Sequence, residues 1–382
     1  MSRKGGSGGS RGSRGGPGVV ETLGGAAVGL VAAGATATVV ARRFAAFRQR
    51  DAEADVVFGR TDVAPVDATG IEVLLTEDGL PLSIEQIGPA DAGLTVVFVH
   101  GYTLTSGSWY YQRAELADRT GPSLRLLFFD QRGHGASGWG DPERATIDQI
   151  ADDLARIIDE RVPTGRIVLI GHSMGGMAIM GLAERRPELF GPRVVGVALI
   201  STSTGNLESV GFGLPQAITG LSTAVLPLVA KLAQRRPHVA ERTRRLGKDI
   251  AFIATKRMTF SGREVAPGLA SYVDRMIAST PVDVIGAFFP SLAGFDKSGV
   301  LGPLANVVTL ILCGDADRMT PKAHSELLAE QLPDSELVII ESAGHLAMME
   351  RPDLVNESLR GFLRRCARRK LRAALEVGVG RG

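Results

Sequence analysis

The chain has 382 residues, 44% hydrophobic and 22% charged, which suits one core-forming domain with additions and excludes a wholly disordered protein. A net charge of +2 sets up no chain-wide field, so nucleic acid is not expected as a partner. The two cysteines, Cys313 in an apolar run and Cys366 in a basic stretch, make no disulfide framework, and no Cys/His spacing reads as a zinc site.

Residues 1–17 are almost entirely Gly, Ser and Arg and are expected to form a disordered basic arm. The segment 18–41 is apolar and rich in Gly and Ala. Its uncharged run, 22–41, is about as long as a bilayer core requires, and basic residues flank it on both sides. It is read as a membrane anchor, with a signal peptide and a soluble packed helix as alternatives. Membrane association through this segment is therefore expected, and a cytoplasmic protein otherwise. A basic helix and a polar linker fill 42–67.

From there short apolar runs alternate with helical stretches. Strands are predicted at 70–75, 80–87, 95–99, 125–130, 167–170, 194–200, 307–312 and 337–340. Glu77-Asp78-Gly79 reads as a hairpin turn between the first two. The later runs are nearly continuous Val, Ile, Leu and Phe, as in strands buried on both faces of a parallel sheet. Helices at 147–159, 174–186 and 323–331 complete βαβ units. The fold class is α/β, with an eight-stranded, mostly parallel sheet. Its two parts, 68–202 and 304–367, are interrupted by a helical cap at 203–303, with helices expected at 214–234, 248–258 and 271–279. A basic tail is expected at 368–382. The stretch 358–371 carries arginines among Leu359, Phe362, Leu363 and Leu371. It suits either an amphipathic helix on anionic lipid or the last helix of the fold with a solvated basic face.

One motif carries chemistry. Gly171-His172-Ser173-Met174-Gly175 follows an apolar strand and precedes a helix, which is G-x-S-x-G in the context that makes it a nucleophile elbow. Ser173 is the candidate nucleophile, on a strained turn whose glycines are needed because side chains there would collide with neighbouring elements. His172 is read as facing away from it. A serine hydroxyl needs a base, and histidine serves near neutral pH. Of His100, His134, His172, His238, His324 and His345, the last lies just after the final strand, where a loop can reach the C-terminal edge of the sheet. His345 is assigned as base. Asp315 and Asp317 both fit the order Ser, acid, His; Asp317 is preferred because Asp315 is better placed to brace the turn, and Asp130 is the lesser candidate. The backbone N–H groups of Tyr102 and Met174 are expected to form the oxyanion hole.

His100-Gly101, D-Q-R-G-H-G-A-S from Asp130, G-H-S-M-G-G from Gly171, G-D-A-D-R-M-T-P from Gly314 and Gly344-His345 resemble the α/β-hydrolase superfamily over about residues 70–365. The elbow is similar to those of carboxylesterases, monoacylglycerol lipases and haloperoxidase-like hydrolases. The Arg-rich composition resembles actinobacterial, membrane-tethered members. The family's acid falls on Asp317. Ser173 in place of an elbow aspartate disfavours dehalogenase and epoxide-hydrolase chemistry. The resemblance implies cleavage of a small, apolar carboxylic ester through an acyl-enzyme, with no cofactor and no metal. C–C bond or thioester hydrolysis, acyl transfer and perhydrolysis remain alternatives on the same triad, as does a non-catalytic binding protein on a hydrolase scaffold.

Overall fold

The computed structural model describes residues 70–117, 124–205, 207, 258–262 and 265–379, all within one compact unit. The expected arm, apolar segment and linker lie outside these residues. So do the cap helix expected at 214–234 and nearly all of the one expected at 248–258.

Eight strands form a single sheet: β1 (Gly70–Leu75), β2 (Pro81–Ile87), β3 (Leu94–Val99), β4 (Leu124–Phe129), β5 (Arg166–His172), β6 (Val194–Ile200), β7 (Val308–Gly314) and β8 (Glu336–Ile340). Their order across the sheet is β1-β2-β4-β3-β5-β6-β7-β8. β1 and β2 form an antiparallel hairpin around Gly79, which adopts φ 76°. β2 runs antiparallel to β4, and every later pairing is parallel. β3 and β6 are buried at every position because helices cover both faces, which is why these strands carry no polar alternation.

The helices are α1 (Tyr110–Ala117), α2 (Ile147–Arg161), α3 (Met174–Arg185), α4 (Pro267–Ser279), α5 (Val282–Ala293), α6 (Lys322–Gln331), α7 (Ala347–Glu350) and α8 (Pro352–Val379). Thr146 caps α2, accepting from Gln149 N–H at 3.1 Å. α4 and α5 lie between β6 and β7, where the cap is expected. α8 buries Leu359, Phe362 and Cys366 completely, so these residues pack in the core, as the last helix of the fold would. The helix continues past residue 367 to Val379. Among the described residues no single helix is long and apolar enough to cross a membrane; α4 with α5, bent by 90°, passes that test only as a pair.

Chain order reverses around β3, which lies between β4 and β5. The loops leaving β3 and β5 therefore meet at the C-terminal edge of the sheet, where open α/β sheets bind ligands.

Candidate active site

β5 continues two residues beyond its predicted end because Gly171 and His172 still pair with Leu199 and Ile200. Ser173 then turns the chain into α3 at φ 51°, ψ −119°. A non-glycine residue there costs of order 1–3 kcal/mol and persists only where its surroundings enforce it. Here Ser173 N–H donates to Ile200 O at 2.9 Å, and its carbonyl accepts from Gly176 N–H at 2.9 Å and Thr202 Oγ1 at 2.8 Å. A Cβ on Gly171 would lie 2.6 Å from Gly175 O, and one on Gly175 would overlap the Val99 carbonyl. The glycines are thus required by the close approach of backbone, as the motif implies. The N–H groups of Met174 and Gly175, the first two of α3, precede the first intrahelical bond and sit at the positive end of the helix dipole.

β7 ends in Gly314, and the following loop turns two aspartates in different directions. Asp315 is exposed and accepts from Ala343 N–H at 3.3 Å, bracing the neighbouring loop. Asp317 is buried, with His345 Nδ1 3.0 Å from its Oδ2. Asp317 also accepts from Met319 N–H, Thr320 N–H and the Thr320 hydroxyl, each at 2.9 Å. Burial pushes this carboxyl up, but His345 and the Thr320 donors outweigh it and hold the group below the usual carboxylate range. Since a carboxylate only accepts, His345 carries its proton on Nδ1, and Nε2 remains as the acceptor for a hydroxyl. Ser173 and His345 line the same cavity.

His172 does not face away from the site. Its ring centroid lies 4.8 Å from that of His345, its Nε2–H donates to the His345 carbonyl at 2.9 Å, and it forms part of the cavity wall. Pairing of β5 through residue 172 fixes this orientation.

The β3 exit loop comes against the nucleophile: a Cβ on Gly101 would lie 3.2 Å from Ser173 Cβ. Tyr102, the next residue, lines the cavity together with Ser173. Thr103 follows at φ 60°, held by its N–H donating to His134 Nε2 at 3.2 Å. His134 in turn donates from Nδ1 to Arg132 O at 2.9 Å, and His100 Nε2 accepts from Gln131 N–H at 3.0 Å. The Tyr102 hydroxyl donates to the Ile285 carbonyl on α5. Burial pushes His100 down to about 4 and His134 and His172 down to about 3, so all three are neutral props.

The remaining candidates lie elsewhere. Asp130 is buried and accepts from Ser106 N–H and Ala136 N–H, each at 2.8 Å, tying two loops together. His324 Nδ1 is 2.8 Å from the buried Ser203 Oγ. His238 lies outside the described residues. Sequence reading missed the contacts of His134 and Thr320. Only Thr320 has a local signal: Asp317 accepts from the N–H two residues on, an Asx-turn, which brings the Thr320 hydroxyl to the same carboxylate.

The cavity over Ser173 has a volume of about 300 Å³, and its walls are mostly apolar, including Leu104, Met177, Leu207, Ile277, Leu292 and Met319. Among the described residues no group of three or more His, Cys, Asp or Glu side chains could hold a metal ion.

The sequence profile of the alpha/beta hydrolase family matches residues 96–358. The chain belongs to this family. Among relatives of this α/β hydrolase is the dihydrolipoyllysine-residue acetyltransferase component of the acetoin cleaving system of Pseudomonas putida. It is 24% identical over 280 residues, covering 72% of this chain and 65% of the relative, so this chain spans about two thirds of that protein's length. Epoxide hydrolase A of Mycobacterium tuberculosis is 26% identical over 334 residues, covering 76% of this chain and 97% of the relative. A solved thermophilic esterase from Thermogutta terrifontis, with malate bound, superposes with a TM-score of 0.60 at 29% identity, covering 78% of this chain and 99% of that one.

Proposed function

We propose that this α/β hydrolase cleaves apolar carboxylic esters through an acyl-enzyme on Ser173. The observation that carries the reading is the convergence of three groups. Ser173 and His345 line one apolar cavity, and Asp317 is buried against the His345 nitrogen that faces away from a hydroxyl donor. The similarity to the Thermogutta esterase supports it.

His345 Nε2 takes the Ser173 proton as Oγ attacks the ester carbonyl. The oxyanion that forms accepts hydrogen bonds from the N–H groups of Tyr102 and Met174. His345 then gives the proton to the departing alkoxide, leaving acyl-Ser173 and an alcohol. Water, deprotonated by His345, attacks the acyl carbon, and the returning proton restores Ser173 with release of the acid. Asp317 stays ionised throughout and stabilises the imidazolium. No cofactor enters these steps.

The test is hydrolysis of p-nitrophenyl esters of increasing acyl length by the full chain beside Ser173→Ala. Turnover that depends on chain length and vanishes in the variant supports the reading. Turnover unchanged in Ser173→Ala rejects it.

The proposal extends to membrane association through segment 18–41, supported by the length and lack of charge of its run 22–41. Deleting 1–41 should move activity from the membrane fraction to the soluble fraction. Full-length protein that already fractionates as soluble rejects this part.

A further inference from the structure

The base is carried on a short loop, 341–346, between β8 and α7. Such a loop has few backbone bonds of its own, so something must fix the histidine to the tolerance that proton transfer requires. The acid holds the ring. The backbone on either side is held by other groups. His172 Nε2–H donates to the His345 carbonyl at 2.9 Å, and Leu346 N–H donates to Thr259 O at 3.3 Å.

Just before His345, Glu350 reaches back from the end of α7. Its Oε1 accepts from Gly344 N–H at 2.7 Å and its Oε2 from Ser261 N–H at 3.0 Å. One carboxylate thus joins the residue preceding the base to the segment 258–262, which comes from the region between β6 and β7. The fit is close: a Cβ on Gly344 would lie 2.6 Å from Ser261 N and 2.6 Å from Phe260 C. Met258 and Thr259 of the same segment line the cavity. The donors to Glu350 are the N–H groups of Gly344 and Ser261 and the Ser261 side chain, while burial and the nearby Asp317 charge push its carboxyl up.

We infer that Glu350 is a positioning residue for the base, clamping Gly344 and Ser261 together so that the cavity wall and His345 are set as one unit. The inference rests on the ester-hydrolase reading, because it assigns His345 as the base. Glu350 touches neither substrate nor reacting atoms and acts through the backbone of residue 344.

Two substitutions test the clamp. Glu350→Gln keeps the length but offers one acceptor oxygen where two N–H groups need one each. Glu350→Asp keeps the charge but is one methylene too short to hold both. In the full chain, we expect kcat/KM for a p-nitrophenyl ester and the rate of fluorophosphonate labelling to fall roughly tenfold in both variants, the usual cost of one lost charge-assisted hydrogen bond. The fall should be in kcat, with KM changed less than about twofold. Folded variants with the native labelling rate and native kcat, whatever their melting temperature, overturn the inference. Ser173→Ala run alongside keeps the two ideas apart. If it still turns over substrate, the ester-hydrolase reading fails; if it is inactive while both Glu350 variants behave as native, only the positioning role fails.

Discussion

Asp317 Oδ2 lies 3.0 Å from His345 Nδ1, with both side chains buried and the Thr320 hydroxyl 2.9 Å from the same carboxylate oxygen. This arrangement fixes the tautomer of His345: the proton sits on Nδ1, and Nε2 is left basic. Replacing Asp317 by Asn keeps the shape but presents an amide that can donate to Nδ1, so the ring proton shifts to Nε2. We expect Asp317→Asn to lower kcat by about 10³- to 10⁴-fold. Folding should be retained, because Met319 N–H and Thr320 N–H still find an oxygen. Steady-state kinetics with a p-nitrophenyl ester checks this; a loss below tenfold rejects the role of Asp317.

The elbow's glycines make a paired stability prediction. A Cβ on Gly175 would overlap the Val99 carbonyl and lie 2.7 Å from His100 O, both backbone atoms of a buried strand exit that cannot yield. Gly175→Ala should cost about 3 kcal/mol or more. A Cβ on Gly286, exposed on α5, meets nothing within 4 Å. Gly286→Ala should be neutral or stabilise by up to about 1 kcal/mol. Urea midpoints of the two variants measure the contrast.

Stability should fall with acid before most carboxylates protonate. Burial pushes His100 down to about 4 and His134 and His172 to about 3 from an ordinary 6.5. Below about pH 6.5 the unfolded chain takes up protons at these histidines while the folded chain does not, so the unfolded state gains as pH drops towards 4. Each histidine contributes at most about 1.4 kcal/mol per pH unit in that window. The melting temperature should be level near pH 7 to 8 on their account and should decline steadily from about pH 6.5. A melting temperature unchanged down to about pH 5 contradicts the neutral, buried state of these three rings.

Cavity shape should govern acyl length. Ile277 on α4 is half-buried and lines the cavity, so filling its position narrows the pocket without touching the triad. Ile277→Trp should lower kcat/KM for the longest accepted ester by roughly tenfold or more. The acetate ester should stay within about twofold. Equal losses at every length would mean that Ile277 does not border the acyl site.

Much of the fold was legible because burial on both faces imposes continuous apolar runs, and β3, β5, β6 and β7 carry them. Their ends were less so: β5 runs on to His172 because the neighbouring β6 offers two more pairs, a fact held in another part of the chain. α1 escaped notice; its eight residues, YYQRAELA, combine two tyrosines with polar groups and show no clear apolar stripe. Ser173, Asp317 and His345 could be singled out as candidates because each follows a strand in a distinctive turn. The supports could not. His134 holds Thr103 across 31 positions and His172 holds the His345 carbonyl across 173. Such contacts are set by which strands neighbour each other, and a linear pattern does not record them.

The most direct measurement is the site and rate of fluorophosphonate modification of the full chain, read by peptide mapping beside Asp317→Asn. An activated Ser173 should become the single modified residue, with labelling slowed by at least about a hundredfold in the variant. Folded protein that stays unlabelled, or labels at a different serine, would contradict a triad built on Ser173.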